Sequence, residues 1–225
     1  MTANSGHELA TGRHPHIESH HDSSETLFCL VHNGECGVTV DILASSEEQS
    51  KLETAIMAAI ERLDDFFDGK FAELFRGLEV QVGDGLTESG GEAFGDQNRI
   101  VLDRQKMLLT LREEDALYAQ NGFADEGDRM RAVGEEAYDM SAAYYELIHE
   151  VGHILEERAD LHLPKHERLH RADGLAAKSP TQLYNQDPEK PHEAFAEAFA
   201  YMVLGNTIDH ELTVVVDCAI EDLKN

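Results

Sequence analysis

Basic residues are scarce in this chain: 18 Lys plus Arg stand against 45 Asp plus Glu in 225 residues, a formal net charge of -27. Such a surface repels phosphate backbones and anionic membranes, so neither nucleic acid nor a membrane is expected as a partner. Long apolar runs are also missing. No stretch approaches the roughly 18 residues that a bilayer-spanning helix needs. The opening MTANSGHELATGRHPHIESHHD has neither a basic start nor an apolar segment, so it is not expected to act as a signal peptide. The default address is cytoplasmic; a specialised secretion route would leave no mark in the sequence.

Cysteine is rare as well. Cys29, Cys36 and Cys218 are three in number, which leaves at least one thiol unpaired in a monomer and suits a reducing compartment. A two-residue turn at Asn33 and Gly34 sets Cys36 opposite Val31 rather than Cys29, which disfavours a bridge between the two. Repeats are not evident.

What is present suffices for one sizeable core or two lobes sharing a cleft, with 41% of residues hydrophobic. Residues 1–25 are polar and His-rich without any period and read as a flexible arm. Within it, His14, His16, His20, His21 and Asp22 are expected to be solvated, with loose metal binding or a latency segment over a cleft as alternatives. From there TLFCLVHNGECGVTVDIL reads as a hairpin, and SSEEQSKLETAIMAAIERLDDFF as a helix capped by Ser45 or Ser46. LEVQVG and NRIVLD are short strands separated by the Gly-rich loop DGLTESGGEAFGDQ. The stretch from about Gly127 to Ala159 reads mostly as helix, uninterrupted from Asp139. PHEAFAEAFAYMVLG opens on Pro191 and stops at Gly205. TIDHELTVVVDCAIEDL is the last helix, with Leu212, Val216, Ala219 and Leu223 on one side. Strands early and helices late make an α+β pattern.

The spacing His-Glu-x-x-His occurs twice, in LIHEVGHILEER and in PKHERLHRAD. In a chain with 13 His, one match arises by chance roughly once in ten such sequences, so the flanks must decide. On a helix, residues four apart share a face and bring two imidazoles to one ion, with the intervening Glu beside them. LIHEVGHIL surrounds His149 and His153 with Ile148, Val151, Ile154 and Leu155, the setting of a rigid, dry ligand helix. HERLH follows Pro164, carries Lys165, Arg168, Arg171 and Asp173, and is apolar only at Leu169. His166 and His170 are therefore assigned to an exposed turn, and His149 and His153 to a metal.

A catalytic zinc site needs a third protein ligand and an open position. The metzincin pattern is excluded, because Glu156 and Ala159 stand where its Gly and third His belong. HEAFAEAFA carries Glu193 and Glu197 one turn apart on an otherwise apolar helix, whose alanines permit close approach to the first. A carboxylate there is a natural third ligand, and Glu197 is placed to accept the second ring N–H of a ligating His.

HEVGH followed by EAFAEAFA resembles the gluzincin zinc peptidases, specifically the lethal-factor-like branch that includes the Pro-Pro endopeptidases. There the Glu opening an E-x-x-A-E-x-F motif is the third zinc ligand. The resemblance covers two helices. It implies a zincin-like α+β fold over residues 26–225: a small twisted N-terminal sheet with backing and active-site helices to about residue 158, then a mainly helical lobe carrying the third ligand. It further implies one Zn2+ on His149, His153 and Glu193, Glu150 as general base, Glu197 behind the ligands, and a peptide or protein substrate. Family members place a Tyr shortly before the ligand Glu to stabilise the oxyanion; Tyr184, nine residues ahead of Glu193, is the candidate. An edge strand above the cleft pairs with extended substrate, a role given to Arg99 to Asp103. The alternative is a zinc-binding regulatory or partner-binding domain of peptidase-like fold, of ImmA/IrrE type. The chain's charge, its lack of a DNA-binding segment and its intact Glu150 favour catalysis.

Overall fold

Alternation in VTVDIL puts Val38, Val40 and Ile42 on one face, and all three are buried in the computed structural model. The structure describes residues 16–22, 25–32, 35–44, 46–87, 90–121, 129–159, 178–180 and 191–224. Among them, β1 (His16–Asp22), β2 (Glu25–His32), β3 (Glu35–Leu43), β4 (Leu78–Gly83), β5 (Gly91–Phe94) and β6 (Arg99–Asp103) form one sheet in the order β1-β2-β3-β4-β6-β5. β1, β2 and β3 are an antiparallel meander, β3, β4 and β6 run parallel, and β5 closes the edge antiparallel to β6. A parallel pair needs a crossover, which α1 (Ser46–Phe66) supplies between β3 and β4 together with the short α2 (Phe71–Leu74). Leu52, Ile56, Ala59, Ile60 and Leu63 of α1 are buried with Leu78, Val80, Val82, Ile100 and Leu102 of the sheet.

The expected hairpin forms, with Cys36 opposite Val31 and Cys29 opposite Thr39. The register slips by one residue between Leu30 and Val31, which leaves Gly37 as the extra residue of a bulge. No Cβ fits there: it would lie 2.2 Å from the Ala72 carbonyl oxygen of α2. The helix at 46–66 begins where capping by Ser45 requires, although Ser45 lies outside the described residues.

Four expectations are corrected. Residues 16–22, read as part of a flexible arm, form β1: their order comes from backbone pairing with residues 25–31 of β2, which needs no apolar period. The segment GEAF, read as loop, is β5, followed by a 3₁₀ turn at Gly95–Gln97. NRIVLD is therefore an interior strand with β4 on one side and β5 on the other, and the edge belongs to β5. The helical stretch before Ala159 is also broken into α5 (Met130–Val133), α6 (Glu135–Tyr138) and α7 (Ala143–Ala159), with Gly134 at φ 81° between the first two. Ser141 bridges to Thr110, ahead of α7. Two helices not foreseen, α3 (Arg104–Met107) and α4 (Leu111–Gln120), follow β6, the second opened by a Thr110/Glu113 capping box.

Helix α7 is buried on nearly every side, as its apolar composition requires. It packs on α1, on β5 and β6, and on the two closing helices α8 (Pro191–Val203) and α9 (His210–Leu223). Gly205 at φ 83° ends α8, its N–H bonded to the Met202 carbonyl. Leu212, Val216 and Ala219 bury the inner side of α9, with Leu223 packed against the core. The close approach of α8 to α7 occurs at Gly152, where a Cβ would stand 2.9 Å from Ala196 Cα. Beside that contact, the Phe199 ring lies 5.9 Å from Phe66 at the end of α1 and 6.2 Å from Phe67, which in turn meets Phe71 and Phe75 at 6.2 and 5.5 Å. Aromatic pairs of this kind add about 0.5–1.5 kcal/mol each beyond area burial and fix α8 relative to α1. No helix among the described residues is long and apolar enough to cross a membrane.

Candidate metal centre

Residues 149 and 153 lie one turn apart on α7, and their imidazoles meet edge to face with ring centroids 4.9 Å apart. Glu193, in the first turn of α8, reaches between them. Its Oε2 is 3.2 Å from His149 Nε2 and 3.4 Å from His153 Nε2, and the three donor atoms all lie within 4.8 Å of one another. Two ligand atoms bound tetrahedrally to one Zn2+ at about 2.0–2.1 Å are about 3.3 Å apart, and both distances from the Glu193 carboxylate to an imidazole nitrogen match that separation. The donor set also suits zinc chemically. His149 is buried, whereas the side chains of His153 and Glu193 keep 20% and 28% exposure, which leaves one side of the group open to solvent.

Electrostatics prepares each group for its place. Burial pushes the pKa of His149 down, which keeps the imidazole in the neutral, ligating form. Burial also opposes charging of His153, but hydrogen bonding to Glu193 and the charges of Glu150 and Glu156 outweigh it, and its pKa rises. Glu193 is partly desolvated, yet its bonds to the two histidines hold it ionised well below the usual carboxylate range.

Glu150 points toward the sheet edge. It is 5% exposed, and burial raises its pKa to about 7 against the opposing pull of His153. The Ala93 N–H of β5 donates to its carboxylate, and Gly91 leaves the space it occupies, since a Cβ there would lie 2.5 Å from Oε1. A carboxyl poised near neutrality is suited to exchange protons at physiological pH.

Glu197, one turn beyond Glu193, is almost fully buried and accepts the Ser179 hydroxyl. His192 turns outward to Glu156 at 2.9 Å, away from the ligand group. Tyr184, His166 and His170 lie outside the described residues. The structure thus brings together His149, Glu150, His153 and Glu193, with Glu197 in the same helix interface. It adds Gly91, Ala93 and Ser179, which sequence reasoning missed. For the first two the only signal was the glycine pair ahead of a four-residue strand; Ser179 carried none. No family model, curated protein or solved structure matches the chain.

Proposed function

We propose that this protein is a zinc-dependent metallopeptidase of zincin-like fold, related in its site to the gluzincins, that hydrolyses peptide bonds in a peptide or protein substrate. One observation carries the reading: a carboxyl with a pKa near 7, Glu150, is held by a sheet-edge N–H beside a His149, His153 and Glu193 group whose spacing fits zinc and whose outer side is open. A purely structural zinc site has no use for such a carboxyl and is closed by a fourth ligand.

Bound zinc would lower the pKa of its water to about 7 and polarise the scissile carbonyl. His149, His153 and Glu193 would hold the ion. Glu150 takes the proton of the attacking water and delivers it to the leaving amine, with no covalent intermediate. Ala93 aims the Glu150 carboxylate, and the reading gives Glu197 the role of accepting a ring N–H of a ligating His. β5, rather than the strand at 99–103, is the edge available to pair with an extended substrate, and it lies against α7 at the site. Tyr184 is the proposed oxyanion donor.

The test is cleavage of a peptide library by wild type and by Glu150→Gln, with zinc measured in both. Cleavage lost in a variant that keeps its zinc supports the assignment. Equal cleavage by both proteins removes Glu150 from the mechanism.

A further inference from the structure

One turn before the ligands, α7 carries Tyr145 and Glu146, which share faces with His149 and Glu150. The Tyr145 ring stacks on the His149 imidazole with centroids 6.2 Å apart and planes 28° from parallel. On Tyr145 lies the guanidinium of Arg129, 5.4 Å from the ring centroid, and the same guanidinium lies 5.4 Å from the ring of Tyr118 on α4. Arg129 is 4% exposed. It pairs with Asp115 at 2.5 Å and Glu114 at 2.7 Å, both on α4, and with Glu146 at 3.4 Å on α7. Asp115 is held in turn by the Tyr138 hydroxyl at 2.9 Å.

A buried cluster of one cation and three carboxyl groups is a poor device for stability alone, since an apolar cluster of the same volume usually does as well or better. What it supplies is orientation: one rigid guanidinium plane, held by carboxyl groups of two helices at once. The plane is applied to the ring that flanks a ligand. The Tyr145 hydroxyl, by contrast, is buried with no hydrogen-bond partner among the described residues, so the ring and not the hydroxyl is the working part.

We infer that Arg129 is a positioning residue of the metal centre: anchored to α4, its guanidinium holds the Tyr145 ring against the His149 imidazole and so sets the direction in which Nε2 meets the ion. The inference rests on the metal reading above. An imidazole free to turn about its Cβ–Cγ bond binds more weakly than one locked by its neighbours, and groups behind a metal ligand typically govern 10- to 100-fold in affinity. Lysine at 129 keeps the charge but has no plane to lay on the ring.

Zinc affinity, measured by competition with a chromophoric chelator, separates the parts. Tyr145→Phe should bind zinc within about two-fold of wild type, whereas Tyr145→Leu and Arg129→Lys should bind about 10- to 100-fold more weakly. The visible bands of the cobalt(II)-loaded protein should shift in the two weak binders and not in Tyr145→Phe, a signature that loss of stability alone does not produce. Tyr145→Leu leaves no buried charge unpaired, so it tests the stacking even where Arg129→Lys folds poorly. Wild-type affinity and cobalt bands in Tyr145→Leu, or equal losses in Tyr145→Phe and Tyr145→Leu, overturn the inference. A wild-type protein that takes up no zinc overturns the metal reading itself.

Discussion

Gly91 and Glu150 occupy one another's space so closely that a Cβ on the glycine would come within 2.5 Å of Glu150 Oε1 and 2.9 Å of its Cγ. Gly91→Ala must therefore displace either the carboxylate or the edge strand, while leaving the three ligands untouched. Turnover should fall by about 100-fold or more, the range that a misplaced general base costs. Zinc content should stay at the wild-type level. Full activity in Gly91→Ala would mean that Glu150 does not act from this position.

Burial lifts the Glu150 carboxyl from 4.5 to about 7. A group whose folded pKa is raised contributes its stability fully below the unfolded value and loses it as pH climbs through the folded one. In the metal-free protein, Glu150 should thus withdraw about 3 kcal/mol of stability as pH rises from about 4.5 through about 7. Glu150→Gln cannot ionise, so urea unfolding should show it gaining on wild type across that window. Parallel pH profiles would place the Glu150 carboxyl in a more polar setting than the structure shows.

The packing of α8 on α7 makes a third case. A Cβ at Gly152 would stand 2.9 Å from Ala196 Cα and 3.1 Å from Phe199 Cδ1. Alanine in a helix interior ordinarily gains about 1 kcal/mol over glycine, but forcing two helices apart costs about 1–3 kcal/mol. Gly152→Ala should lose stability on balance, and it should bind zinc more weakly because Glu193 retreats from His149 with α8. A more stable variant with wild-type zinc affinity would contradict the close contact.

Zinc itself should stabilise the fold. A ligand at 100 times its Kd adds about 2.7 kcal/mol to a protein that binds it only when folded. Wild type should melt higher when zinc is added and lower after chelation, whereas Glu193→Gln should respond far less to either treatment. An equal response by both proteins would remove Glu193 from the ligand set.

The ligand helices were legible because their chemistry follows a helical period. His149 and His153 share a face of an apolar run, and Glu193 and Glu197 repeat that pattern on a helix lined with alanine. The rest was hidden for physical reasons. β5 is four residues long and begins with glycine, so it has no alternation of its own; pairing with β6 and the Ala93 bond to Glu150 give it order. β1 is polar except for Ile17 and owes its place to β2. Arg129 precedes a one-turn helix, and nothing local marks it as the partner of Glu114, Asp115 and Glu146. Helix α4 differs, because the Thr110 and Glu113 of its capping box are written in the sequence as TLRE.

Elemental analysis of purified wild type, His149→Ala and His166→Ala tests the metal assignment most directly. One zinc per chain that disappears in His149→Ala and persists in His166→Ala is the expected result. Zinc lost only in His166→Ala would move the centre to HERLH and contradict the mechanism, and a wild type without zinc would leave His149, His153 and Glu193 as a part-buried cluster with no metal to hold.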